Sequence, residues 1–176
     1  MDRLSKAQIL EALAALAQEL ERRGSSAELL VVGGAAVVLL YGARESTKDV
    51  DAISLKPSEQ AVVRSASEAV APTLGLPEDW LNDGAKGYLH GVAPGEVLFA
   101  QPGLTVQAAV PAQLLAMKLT AWRDDLDIDD ARLLLSQFEG ERDEVWGQIE
   151  PFLVPGRELK AQYAFADLWE AEHGHP

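Results

Sequence analysis

Residues 29–53 read Leu-Leu-Val-Val-Gly-Gly-Ala-Ala-Val-Val-Leu-Leu-Tyr-Gly-Ala-Arg-Glu-Ser-Thr-Lys-Asp-Val-Asp-Ala-Ile, and the reading of the remaining chain turns on them. Leu29 to Val32 form a short apolar run rich in β-branched side chains and closed by a glycine pair, the pattern of a buried strand. Ala35 to Tyr41 is apolar on every side and stops at Gly42, a residue suited to the left-handed position that ends a helix. A buried helix starting at Gly33-Gly34 is therefore expected. Such a corner presents unpaired backbone N–H groups and the positive end of a helix dipole, where an anion can sit. A glycine pair before a helix also serves simply as a tight turn.

Lys48 to Ile53 reads as a second strand. Alternation along a strand puts Asp49 and Asp51 on one face, their Cα atoms about 7 Å apart. Two carboxylates so held can converge on a hard cation such as Mg²⁺, which takes oxygen ligands and commonly keeps phosphate oxygens in its shell. An Asp-x-Asp at a strand end, taken alone, more often serves as a solvated edge or a cap. Arg44, in the link between helix and strand, has the planar fork that matches phosphate oxygens, and as an exposed loop residue it needs no such role.

Outward from this stretch, Ser5 to Arg23 is an amphipathic helix: Ile9, Leu13, Leu16 and Leu20 form its stripe, widened by Leu10 and Ala17. Ser5 with Gln8 makes a capping box, and Arg22, Arg23 and Gly24 close the helix. Pro57 opens the next helix, with Val62, Val63, Ala66, Ala69 and Val70 inward. A loop-like segment follows, in which Trp80 either anchors the loop to the core or stacks on a base, and Asn82 and Lys86 are weaker substrate-contact candidates. Glu96–Ala100 and Leu104–Val110 read as a hairpin turned at Gln-Pro-Gly. Pro111 starts a helix whose stripe is Leu115, Leu119 and Trp122, with Lys118 between these positions as a snorkelling side chain or a positioned charge. Asp127 reads as the N-cap of the next helix, with Asp129 and Asp130 in its first turn and Ile128, Ala131, Leu135 and Phe138 inward. Residues 141–152 and 157–172 are two further helices, with Trp146, Ile149, Leu153, Tyr163, Phe165, Leu168 and Trp169 on apolar faces. His173 and His175 read as a frayed tail.

The run "VVGGAAVVLLYGARESTKDVDAI" resembles the signature of the nucleotidyltransferase superfamily, a Gly-Gly or Gly-Ser turn followed one short helix later by Asp-x-Asp. More narrowly it is similar to the small bacterial branch related to AbiEii-type toxins and the uncharacterised nucleotidyltransferase-like proteins near them, over most of residues 28–135. The resemblance implies an α/β (α+β) fold with a mixed β-sheet core flanked by helices. It implies that Gly33 and Gly34, with Arg44 and Thr47, bind a nucleoside triphosphate, and that Asp49 and Asp51 hold Mg²⁺ or Mn²⁺. Lys118 matches a lysine followed about ten residues later by a carboxylate pair, here Asp127 and Asp130. On that match Lys118 contacts the triphosphate, while Asp127 or Asp130 orients it or assists proton removal. The chain departs from the superfamily where a later strand usually supplies a third metal carboxylate: it reads Thr105-Val106-Gln107, and Glu96 is the only nearby acid.

The 176 residues suffice for a core, divided as residues 1–110 and a helical region 111–176 in one compact unit. With no cysteine, disulfides and thiolate metal sites are excluded. No apolar run is long enough for a membrane span, and the start lacks a basic segment followed by an apolar block, so a cytoplasmic protein is expected. A net charge of −13 argues against broad affinity for nucleic acid and suits a basic partner.

The expected activity is metal-dependent transfer of a nucleoside monophosphate to a tRNA, protein or small-molecule acceptor, within the resemblance as the toxin of a toxin–antitoxin pair with a cognate antitoxin. The alternatives are a catalytically inactive binding or regulatory module of the same fold, and a structural protein that binds a partner or a second copy through its N-terminal helix.

Overall fold

Ser5 and Gln8 cap each other: the Ser5 hydroxyl accepts from the Gln8 N–H at 3.3 Å, and Gln8 Oε1 accepts from the Ser5 N–H at 2.9 Å. The computed structural model describes residues 3–174. A short strand, β1 (Leu4–Ser5), leads through this cap into α1 (Lys6–Arg22), whose Ile9, Leu13, Leu16, Ala17 and Leu20 are buried as the periodicity requires. β2 (Ala27–Val32) follows, and α2 (Gly33–Tyr41) begins at the glycine pair and ends at left-handed Gly42.

The strand expected over Lys48–Ile53 begins two residues later, at Val50, and a separate short strand precedes it. Ser46–Thr47 form β3, which pairs with β1 in a separate two-stranded sheet, and β4 (Val50–Ser54) joins the main sheet. Lys48 and Asp49 make the bend between them, so Asp49 precedes the strand instead of alternating within it. After a turn at Pro57–Glu59, α3 (Gln60–Val70) buries Val63, Ala66 and Val70. Ala69 is exposed, contrary to its apolar character, and Ser67 takes an inward place. Its hydroxyl donates to the Arg64 carbonyl at 2.8 Å, so a polar residue is satisfied there within its own helix.

Three strands complete the main sheet: β5 (Leu81–Asn82), β6 (Pro94–Gln101) and β7 (Leu104–Ala109). The order is β5-β4-β2-β7-β6. β2 runs antiparallel to β4 and parallel to β7, β5 is parallel to β4, and β6–β7 is the expected hairpin. The mixed sheet and its helices make this an α/β fold. These strands, α1, α2 and α3 form one compact unit, residues up to Lys86 together with Pro94–Ala109.

The second unit comprises Gly87–Ala93 and the chain from Val110 onward. Its helices are α4 (Pro111–Ala121), α5 (Asp125–Leu135), α6 (Arg142–Ile149) and α7 (Glu158–His173). α4 is buried from Gln113 to Ala121, and the Gln113 amide holds the preceding loop through His90 O, Gly91 O and the Ala93 N–H. Trp122 does not extend the α4 stripe: it ends the helix in the left-handed conformation, φ 36°. Tyr163 is 66% exposed, because α7 turns Ala161, Ala164, Phe165 and Leu168 inward and Tyr163 falls outside that stripe. Phe165 packs between Trp146 and Trp169, ring centroids 5.1 and 5.7 Å away, and His173 stacks on Trp169 within α7 instead of fraying. His175 lies outside the described residues. Among those residues no helix is long and apolar enough to cross a membrane.

Candidate active site at the glycine corner

The register between β2 and β4 pairs Val32 with Asp51, which sets that carboxylate beside the first glycine of α2. Gly33 has φ +64°, a conformation that side chains of L-residues avoid. A Cβ added to Gly33 would stand 3.2 Å from Asp51 Oδ2. One added to Gly34 would stand 2.8 Å from Thr47 Oγ1 and 3.0 Å from a terminal nitrogen of Arg44. The missing side chains are therefore what admit a carboxylate, a hydroxyl and a guanidinium to the start of α2. Thr47 is buried on β3, and Arg44 is fixed by Nε donating to Ser46 O at 3.0 Å.

Asp49 reaches the same neighbourhood by another route. Its Oδ2 accepts from the Asn82 amide at 3.0 Å, while Asp51 Oδ1 accepts from the Ala85 N–H at 3.0 Å. Both carboxylates thus meet residues 82–85. Asn82, expected as a substrate contact, instead holds protein groups, and Lys86 lies exposed. Trp80 is wholly buried with Nε1 donating to Ser67 O at 3.1 Å, so it anchors the segment to α3 and is closed to a base.

Mg²⁺ is usually held by one or two carboxylates and completed by water and phosphate oxygens, which Asp49 and Asp51 can satisfy for one ion. Among the described residues no three His, Asp or Glu side chains converge as a metal-holding group. Gln107, Ala108 and Ala109 at the end of β7 bring no acid, and Glu96 is exposed on β6. Its negative charge, after burial, helps push the Tyr41 phenol above its ordinary value. The residues fit a single cation shared with a phosphate and lack the ligands for two ions bound by protein alone.

A second cluster lies within the helical unit. Lys118 Nζ sits 2.9 Å from Asp127 Oδ1 and 2.7 Å from Asp130 Oδ2, with its side chain only 10% exposed. Asp127 Oδ2 also accepts from Arg123 through its Nε (3.1 Å) and its N–H (3.2 Å). Burial pushes the Asp127 carboxyl up, but the hydrogen bonds and charges of Lys118 and Arg123 outweigh it and hold the group below the usual carboxylate range. The N-cap of α5 is Asp124, whose Oδ1 accepts from the Asp127 N–H at 3.0 Å. Asp127 is thus not the cap its spacing suggested, and it turns inward to the lysine. Asp130 is buried as well, whereas Asp129 is solvent-facing and pairs with Arg132.

The sequence-predicted residues thus assemble as two groups: Gly33, Gly34, Arg44, Thr47, Asp49 and Asp51 in the first unit, and Lys118, Asp127 and Asp130 in the second. What sequence reasoning missed is the turn at 82–85 that holds both strand carboxylates. The signal for it was the Asn82-Asp83-Gly84 run, which has the composition of a turn built on its own asparagine.

No curated protein and no solved structure matches this chain. Residues 8–84, from α1 through β5 and including the whole glycine corner, match the model of a family described as a nucleotidyltransferase of unknown function (DUF6036), which supports a place for the chain at the level of the nucleotidyltransferase superfamily.

Proposed function

We propose that the protein is a divalent-cation-dependent nucleotidyltransferase. The observation that carries this reading is the Asp51 carboxylate standing against Gly33, with Thr47 and Arg44 against Gly34. The backbone N–H groups at the start of α2 receive phosphate oxygens of a nucleoside triphosphate, and the Arg44 guanidinium adds charge to that grip. The Thr47 hydroxyl supplies a short-range donor beside it. Asp49 and Asp51 are the residues to hold Mg²⁺ or Mn²⁺. Such a cation, when bound, neutralises charge on the transferring phosphate. An acceptor hydroxyl, giving up its proton to a base or to solvent, attacks the α-phosphorus; a new O–P bond forms, and the bond to the β-phosphate oxygen breaks with release of pyrophosphate.

The role the resemblance implies for Lys118 is part of the proposal. Its ammonium carries three N–H donors, and among the described residues two carboxylates engage it, so a donor remains for an anionic group. The acceptor class is a tRNA, a protein side chain or a small molecule, and the net charge of −13 weighs against loose RNA binding. The likeness to AbiEii-type toxins extends the proposal to a toxin with a cognate antitoxin.

The absence of an acid at Gln107–Ala109 favours one second reading, a nucleotide-binding module without catalysis. Transfer of label from α-labelled triphosphates to total RNA and protein, with Mg²⁺ or Mn²⁺, separates the two. Transfer abolished by Asp51→Asn supports the enzyme. Metal-dependent thermal stabilisation by nucleotide without transfer supports the module, and neither response to any nucleoside triphosphate overturns both.

A further inference from the structure

Asn82 stands beside Asp51 in the register between β4 and β5 and uses both ends of its amide. Its Nδ2 donates to Asp49 Oδ2 at 3.0 Å and to the Asp79 carbonyl at 3.2 Å. Its Oδ1 accepts from the Gly84 N–H at 2.7 Å, closing a turn whose next N–H, that of Ala85, donates to Asp51 Oδ1 at 3.0 Å. The turn is packed tightly enough to need glycine: a Cβ at Gly84 would stand 2.8 Å from Asn82 Oδ1 and 3.5 Å from Asp51 Oδ1. One side chain therefore sets the direction of Asp49 itself and, through the turn it closes, that of Asp51.

We infer that Asn82 is a positioning residue that aims both carboxylates at the divalent cation, an inference that rests on the nucleotidyltransferase reading. The chemistry of the position is selective. An aspartate at 82 could close the turn but would meet Asp49 acid to acid, and a serine could close it but is too short to reach Asp49. Only a side chain with an acceptor and a donor at amide spacing serves both carboxylates. Asp49 is held through Oδ2 by the Asn82 amide and Asp51 through Oδ1 by the Ala85 N–H, contacts that constrain the plane of each carboxylate. Outer partners of this kind orient metal ligands, and their loss typically lowers metal affinity by about 10–100-fold.

The test is Mn²⁺ affinity, read from the electron paramagnetic resonance signal of free Mn²⁺ in the presence of a non-hydrolysable nucleoside triphosphate analogue. It compares the full-length wild type, Asn82→Ala and Asn82→Ser, with metal-free thermal midpoints alongside. Asn82→Ser keeps the Gly84 acceptor, so it preserves the turn if Asn82→Ala does not fold. Both variants are expected to bind Mn²⁺ about 10–100-fold more weakly than wild type. A merely structural tie between β4 and β5 would lower the midpoint and leave Mn²⁺ affinity unchanged, and that result overturns the inference while sparing the nucleotidyltransferase reading. A wild type that binds no Mn²⁺ overturns both.

Discussion

Asp51 Oδ2 faces the α-carbon of Gly33 so closely that a methyl group there would lie 3.2 Å from it. Gly33 also holds φ +64°, which costs an L-residue roughly 1–2 kcal/mol. Gly33→Ala is therefore expected to lose about that much stability in urea titration and to lose the nucleotide-dependent rise in thermal midpoint. Retained binding at wild-type strength would mean that nothing enters this corner.

Gly34→Ala separates shape from stability. Gly34 is helical without positive φ, and alanine is the better helix former. The added methyl would nevertheless lie 2.8 Å from Thr47 Oγ1 and 3.0 Å from Arg44. A modest loss of stability, with nucleotide binding lost, is the expected outcome, checked by denaturation and calorimetric titration together.

The Lys118 cluster makes the opposite demand on stability. Lys118→Met leaves Asp127 and Asp130 buried without the ammonium between them. Breaking a buried pair by removing one partner costs about 3–5 kcal/mol, so chemical denaturation should reveal a loss of that order. A change below about 1 kcal/mol would show that the two carboxylates find other compensation.

Acid should act through the same cluster. The Asp127 carboxyl is held below its ordinary value, so its charged form stabilises the folded state at neutral pH. That contribution is complete above the unfolded value near 3.9 and is lost as pH falls through the lower folded value. The urea midpoint of wild type should fall on acidification below about pH 4, and Asp127→Asn, less stable at pH 7, should show a shallower fall. Parallel curves would remove Asp127 from the acid response. Glu19, drawn down to about 2 by hydrogen bonds from Arg22 and Arg23, shifts in the same direction in both proteins and cancels in the comparison.

The strand, glycine corner and buried helix at residues 29–42 were legible because burial on all sides leaves an uninterrupted apolar run, and only glycine relieves the turn. The boundary at Asp49 was not. Ser46–Thr47 pair with β1, more than forty residues earlier in the chain, and no local pattern announces a partner so remote. β5 escaped for a related reason: two residues offer no alternation, and Asn82 is identified by what it bonds. Asp127 looked like a cap because Asp124 and Asp127 both satisfy the composition of a helix start. What decides between them is the buried ammonium of Lys118, nine residues earlier on the preceding helix, to which Asp127 turns. Tyr163 was misplaced by its chemistry alone, since the stripe of α7 is filled by the smaller Ala161 and Ala164.

The pairing of Val32 with Asp51 places the last residue before the corner opposite the acid that serves it. Side chains alternate between faces along a strand, so sliding β4 by a single residue against β2 would carry Asp51 to the far side of the sheet and bring Val50 or Ala52 in its stead. Ligand capture by this corner would accordingly audit the alignment of two strands, and a population folded one step out of alignment would be blind to nucleotide.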